Sequence, residues 1–300
     1  MAYEKPIKIR EAIEAIQEQE YILPSIQREF VWSPNQIELL FDSIMRDYPI
    51  STFLFWKVKA ENLSKFKFYR FLSHYHERDR RHNELAELSN NKDRMAILDG
   101  QQRLTSLYIG LMGSDARKLA KYNWKSDHAF PEKKLYLNLL NKANDSEKEF
   151  DFKFLSDADV QALHSKHSDQ FHWFKAGDIL QFKSVMDIVN YLSIHKLTDS
   201  SIRTEEQTRF ASNTLSKLFQ VINEQDSINF YLEKSEDLDK VLHIFIRINS
   251  GGTKLSYSDL LLSIATAQWK KKEARTIIHA FVDKIIDVCT MGRNQVHKFL

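Results

Sequence analysis

Ile97-Leu98-Asp99-Gly100-Gln101-Gln102-Arg103-Leu104-Thr105-Ser106-Leu107 runs from apolar residues into Asp-Gly, then two amides, an arginine and an amphipathic stretch. This pattern reads as a short buried strand over Met95–Leu98 that turns at Gly100 into a helix over Gln101–Leu111, with Leu104, Leu107, Tyr108 and Leu111 on one face. A strand that delivers the chain to a helix N-terminus creates an anion site, because the first-turn N–H groups have no intrahelical partner and the helix dipole adds positive charge. Gly100 allows a tight turn and close approach of a ligand. Arg103 offers a planar fork matched to phosphate oxygens. Asp99, at the strand's end, is suited to a divalent cation or a water, and Gln101 or Gln102 to positioning an attacking water. The competing reading makes Asp99 a helix cap and Arg103 a solvated helix residue. No GxxxxGK[ST] occurs, so the junction is not a Walker A loop.

Outward from this junction, strands precede helices. Lys8 to Glu20 has the spacing of a helix with Ile9, Ile13 and Ile16 inward. Ser33-Pro34-Asn35-Gln36 is a helix start with a cap, a proline at the first turn and a capping box, followed by an apolar face of Ile37, Leu40, Phe41 and Ile44. Residues 52–58 (TFLFWKV), 135–140, 150–155, 171–174 and 228–232 read as strands, the last able to rejoin the sheet. Residues 183–195 and 205–223 read as helices. Residues 60–94 are dense in charge and read as an exposed, partly helical insertion. The expected fold class is α+β, with an α/β core over residues 1–235 carrying that insertion, then a helical part over residues 236–300.

Composition sets wider bounds. The 300 residues include 43% hydrophobic and 28% charged residues, as in globular proteins. No stretch approaches the ~20 consecutive apolar residues that span a bilayer. The single cysteine, Cys289, forbids an internal disulfide and a multi-cysteine zinc site, and a cytoplasmic protein is expected. The net charge of +2 neither implies nor excludes nucleic acid. A DNA-contacting patch is expected, if anywhere, at Arg78, Arg80 and Arg81 or at Lys270, Lys271 and Lys272 near Trp269.

Two further stretches change the weight of the junction. Residues 26–32 (IQREFVW) place a second Gln-Arg pair in an extended aromatic segment, and residues 245–261 (FIRINSGGTKLSYSDLL) carry Arg247 and Asn249 before a Gly-Gly turn. In this order, the three segments resemble the N-terminal domain of GmrSD-type restriction proteins, a family of bacterial and archaeal defence against modified foreign DNA. The resemblance covers Ile22 to about Leu262, and DGQQR is its most specific motif. It implies a nucleotide-binding core related to ParB and sulfiredoxin, and NTP binding or Mg2+-dependent hydrolysis that controls DNA restriction. Carried over by motif, Asp99, Gln101, Gln102 and Arg103 form the nucleotide site with Gly100 and Thr105 among them, Gln27 and Arg28 are its neighbours, and Asn249 is a further candidate. Many members continue into an HNH-type nuclease with a His-x-x-Pro signature. Of the 11 histidines here only His128 has proline three residues on, at Pro131; that nuclease is expected in a domain or subunit not in this chain, and the chain is expected to be a piece or a short member. A non-catalytic DNA-sensing module and a metal-dependent nuclease are the alternative readings.

Overall fold

Alternation along Phe53–Val58 decides the layering. Phe53 and Phe55 enter one buried apolar cluster, while Leu54, Trp56 and Val58 enter another, because successive strand side chains point to opposite faces. The computed structural model of the chain describes residues 1–88, 91–167, 169–249 and Ala280. Its strands are β1 (Ala2–Tyr3), β2 (Tyr21–Pro24), β3 (Phe53–Val58), β4 (Phe68–Tyr69), β5 (His74–His76), β6 (Arg94–Asp99), β7 (Ser114–Ala116), β8 (Lys134–Asn138), β9 (Phe152–Leu155), β10 (Trp173–Lys175) and β11 (Phe230–Glu233). The α-helices are α1 (Ile9–Gln17), α2 (Pro34–Met45), α3 (Gln101–Met112), α4 (Asp157–Lys166), α5 (Val185–Ile194), α6 (Glu205–Phe219) and α7 (Leu238–Asn249).

A six-stranded sheet runs in the order β1-β11-β3-β6-β2-β4. It is mixed: β2 is parallel to β6 and β11 to β3, whereas β3 and β6 are antiparallel. β11 thus rejoins the sheet, between β1 and β3. Separate sheets are formed by β10-β8-β9 and by β5-β7. One face of the main sheet is covered by α1, α2 and α3 through Ile9, Ile13, Ile37, Phe41, Leu104 and Leu107, all in the larger cluster. The other face is covered by α7, whose Val241 and Phe245 pack with Ile22, Trp56 and Leu98. The start of α2 forms as its sequence dictates: the Gln36 N–H donates to Ser33 Oγ at 3.4 Å and the Ser33 N–H donates to Gln36 Oε1 at 2.9 Å.

The fold is therefore α+β with a mixed sheet, and one segment lies differently from expectation. Residues 60–94 are built into the domain rather than set on its outside. β4 adds an edge strand beside β2, and Phe68, Tyr69, Phe71, Leu72 and Tyr75 are buried. The charges there sit among short apolar pairs, which averaging along the sequence conceals. α7, which begins the expected helical part, packs on the second face of the sheet through Val241 and Phe245. The rest of the expected helical part, including residues 250–261 of the third motif and Trp269 to Lys272, lies outside the described residues. No helix among the described residues is long and apolar enough to cross a membrane.

Candidate functional site

β6 ends at Asp99, and Gly100 turns the chain into α3 with φ at +89°. That left-handed conformation is open to glycine and strained for other residues. Space demands glycine as well, since a Cβ here would lie 2.2 Å from Phe53 Cδ1. No side chain caps α3, so its first-turn amides carry the partial positive charge of a helix N-terminus.

The three glutamines of the motifs bind backbone. β2 pairs with β6 only as far as Ala96, and the β3–β6 ladder shifts register between Leu54 and Phe55. Beyond that point Gln27 takes over, donating from Nε2 to the carbonyls of Ile97 and Leu98 at 2.8 and 2.7 Å. Gln101 Nε2 donates to the Arg28 carbonyl at 2.6 Å. Gln102 acts at both ends of its amide, donating to the Glu29 carbonyl at 2.9 Å and accepting from the Val31 N–H at 3.0 Å. All three side chains are buried. Together they replace a missing strand pairing and fasten residues 27–31 to the β6–α3 turn. Buried amides satisfied in this way add fixed geometry, because leaving one unpaired costs more than pairing it gains.

Arg103 is also committed. It donates to the Ile50 carbonyl, to the Thr52 carbonyl at 2.9 Å and to Asp99 Oδ2 at 3.2 Å. Its guanidinium carbon lies 4.3 Å over the Phe53 ring centroid. Burial draws its pKa below the ordinary arginine value, opposed by Asp99. Arg103 therefore fixes the loop before β3, and its fork is occupied by protein oxygens. Asp99 keeps a partly exposed carboxylate. Arg28 differs from Arg103: Gln101 holds its backbone against the first turn of α3, yet its partly exposed side chain has no hydrogen bond or ion pair among the described residues.

The remaining candidates separate. Thr105 is 1% exposed, inside α3, with no surface for a ligand. Asn249 ends α7, and its side chain lies outside the described residues. Arg78 pairs with Asp79 at 2.8 Å and Asp127 at 2.6 Å. Arg81 is buried and has partners of its own, and Arg80 alone of these three is exposed. Among the described residues no three His, Cys, Asp or Glu side chains form a metal-binding group. Asp99 therefore belongs to no such group of three among the described residues. Among the described residues, cavities of about 370, 260 and 590 Å³ indent the surface, and these are lined by residues other than 99–103. The second is lined by Ile50, Ser51 and Thr52 from the loop that Arg103 holds. At the β6–α3 turn Gly100, Gln101 and Gln102 are buried, and Asp99 is its partly exposed charged group.

An α+β domain organised round a glutamine-fastened strand-to-helix turn is the class that these features define. The chain belongs to the family of the GmrSD restriction endonuclease N-terminal domain, which it matches over residues 9–266. It is also similar to an uncharacterised protein of Methanocaldococcus jannaschii, at 27% identity over 267 residues. The match takes in 82% of this chain and 39% of that relative, so the chain spans well under half of the relative's length.

Proposed function

We propose that this domain binds a nucleoside triphosphate at the β6–α3 turn and thereby regulates a DNA-restriction system, the sheet and turn forming a ParB- and sulfiredoxin-like nucleotide-binding core. The observation that carries this reading is the uncapped N-terminus of α3, shaped by Gly100 and flanked by a partly exposed Asp99 and the uncommitted Arg28. The α3 amides and Arg28 bind phosphate, and Asp99 faces the Mg2+ that such a ligand brings, which neutralises phosphate charge. Gln101, Gln102 and Arg103 hold the turn in shape, since their polar atoms are engaged with backbone. With both amides turned away from solvent, binding is better supported than hydrolysis. DNA is the partner of the whole restriction protein, and the nuclease resides in another domain or subunit.

Isothermal titration with ATP, GTP and CTP in the presence and absence of Mg2+ tests this reading. At least one nucleotide binds, and Arg28→Ala weakens it about tenfold or more, the loss of a charge-assisted contact. Absence of binding to all three, or unaltered affinity in Arg28→Ala, refutes the assignment.

A further inference from the structure

The cleft of about 370 Å³ lies away from the β6–α3 turn, between the end of α1, Tyr108 of α3 and the two arms of residues 70–84. Tyr108 is seven residues past Gln101, about 10 Å further along the helix axis. The arms are tied at both ends: the Arg70 N–H donates to the Glu84 carbonyl at 2.8 Å, and His76 and Arg80 exchange backbone hydrogen bonds at 3.0 Å. Asn83 Nδ2 closes them further by donating to the Arg70 carbonyl at 2.9 Å. This fixed frame brings Arg70 and Arg80, ten positions apart, onto one cavity.

The cleft lining is rich in arginine, and its four arginines differ in availability. Arg78 is neutralised by Asp79 and Asp127, and Arg81 is buried with partners. Arg70 gives only its Nε, to Gln19 Oε1 at 3.2 Å, which leaves both terminal nitrogens without a protein acceptor among the described residues. The exposed Arg80 side chain has none at all among them. Tyr108 adds a hydroxyl with no hydrogen bond among the described residues. Burial raises its pKa, with Arg70 opposing, so it stays a donor at neutral pH. Of the lining carboxylates, Asp79 is spent on Arg78, and Glu84 is exposed. A cavity of this size is ordinary for a small ligand or a single unit of a larger one. Two guanidinium groups and a phenol, all donors without acceptors, suit an oxyanion with several oxygens, and a phosphoryl group matches the arginine fork.

We propose that this cleft is a second anion site, distinct from the β6–α3 turn, which binds a phosphoryl group through Arg70, Arg80 and Tyr108. The same chemistry is presented by a free phosphorylated molecule and by the backbone of a nucleic-acid strand. Two probes separate these sources: inorganic pyrophosphate, followed by isothermal titration, and a short fluorescein-labelled oligothymidine, followed by anisotropy. If both bind, the site takes free phosphates. If the strand alone binds, the site reads a backbone. In either case Arg80→Gln weakens binding about tenfold, and Arg70→Gln with Arg80→Gln weakens it further. The double variant also lowers the salt dependence of strand binding, by about one to two in log–log slope. Lys121→Gln, which removes an exposed charge elsewhere, leaves both affinities as they were. Binding of neither probe, equal binding by wild type and Arg80→Gln, or an equal loss in Lys121→Gln would overturn the proposal. Because Arg80 is exposed, its variant keeps the test decisive even if the Arg70 change disturbs the fold.

Discussion

The β6–α3 turn and the cleft at residues 70–84 use polar side chains in opposite ways. At the turn, Gln27, Gln101, Gln102 and Arg103 are buried or largely so, and their hydrogen-bonding groups go to backbone carbonyls and amides. At the cleft, Arg70 and Arg80 project into open space with donors to spare. Density of polar residues in a motif therefore does not by itself mark ligand chemistry. What distinguishes the two regions is whether the donors already have acceptors. Substitutions at the turn should cost stability, and substitutions in the cleft should cost binding alone.

The largest break in that comparison comes at Gly100. Gly100→Ala combines a left-handed backbone with a clash on Phe53, and should destabilise the domain by about 3 kcal/mol or more in urea unfolding. Gln102→Ala comes next, because it strands the Val31 N–H and the Glu29 carbonyl. A loss of about 2 kcal/mol is expected, with faster hydrogen exchange at the Val31 amide as its local mark. Arg103→Lys keeps the charge but loses the fork and the stacking on Phe53, and should cost about 1 kcal/mol. Unchanged stability in Gln102→Ala would erase the distinction between the two regions.

Two titratable groups, the buried Asp115 and the half-buried His172, sharpen the picture through pH. Burial lowers the His172 pKa to about 4, while burial raises that of Asp115 to about 6 against the pull of Arg117. As pH falls from about 6.5 to 4 the unfolded chain takes up a proton at His172 that the folded chain refuses, so stability is lost. Asp115 acts in the opposite sense, because the folded chain takes up its proton first as pH falls from about 6 and gains stability. The urea midpoint should therefore fall more steeply on acidification in Asp115→Asn than in wild type, and less steeply in His172→Asn. The smallest effect belongs to the cleft: Arg80→Gln should shift stability by no more than about 0.5 kcal/mol, which a thermal melt will register as nearly unchanged.

Legibility in the sequence followed the range of the interactions. The start of α2 was readable because Ser33, Pro34 and Gln36 act within one turn, and β3 because its β-forming residues are consecutive. The return of β11 to the sheet was readable from its apolar run, although its place between β1 and β3 was not. The segment 60–94 misled because β4 and β5 span two and three residues, too short to show a period amid their charges. At the turn, the residue types were evident and their partners were not. Arg103 finds its acceptors in the carbonyls of Ile50 and Thr52, 53 and 51 positions away, and a carbonyl is supplied by any residue. Arg70 gave no signal because it lies in the charge-dense segment that read as an exposed insertion.

β11 has a consequence for how the chain is made. It occupies an inner position of the main sheet, parallel to β3, with β1 resting on its outer edge. Residues 2–3 therefore wait for residues 231–232 before they can pair. During synthesis, the earlier strands emerge with one flank of β3 open, and the sheet closes only when the segment ending at Glu233 is released. Such long-range closure favours slow folding, so assembly of the nascent sheet is governed by β11, the last strand among the described residues, with α7 following to seal the second face.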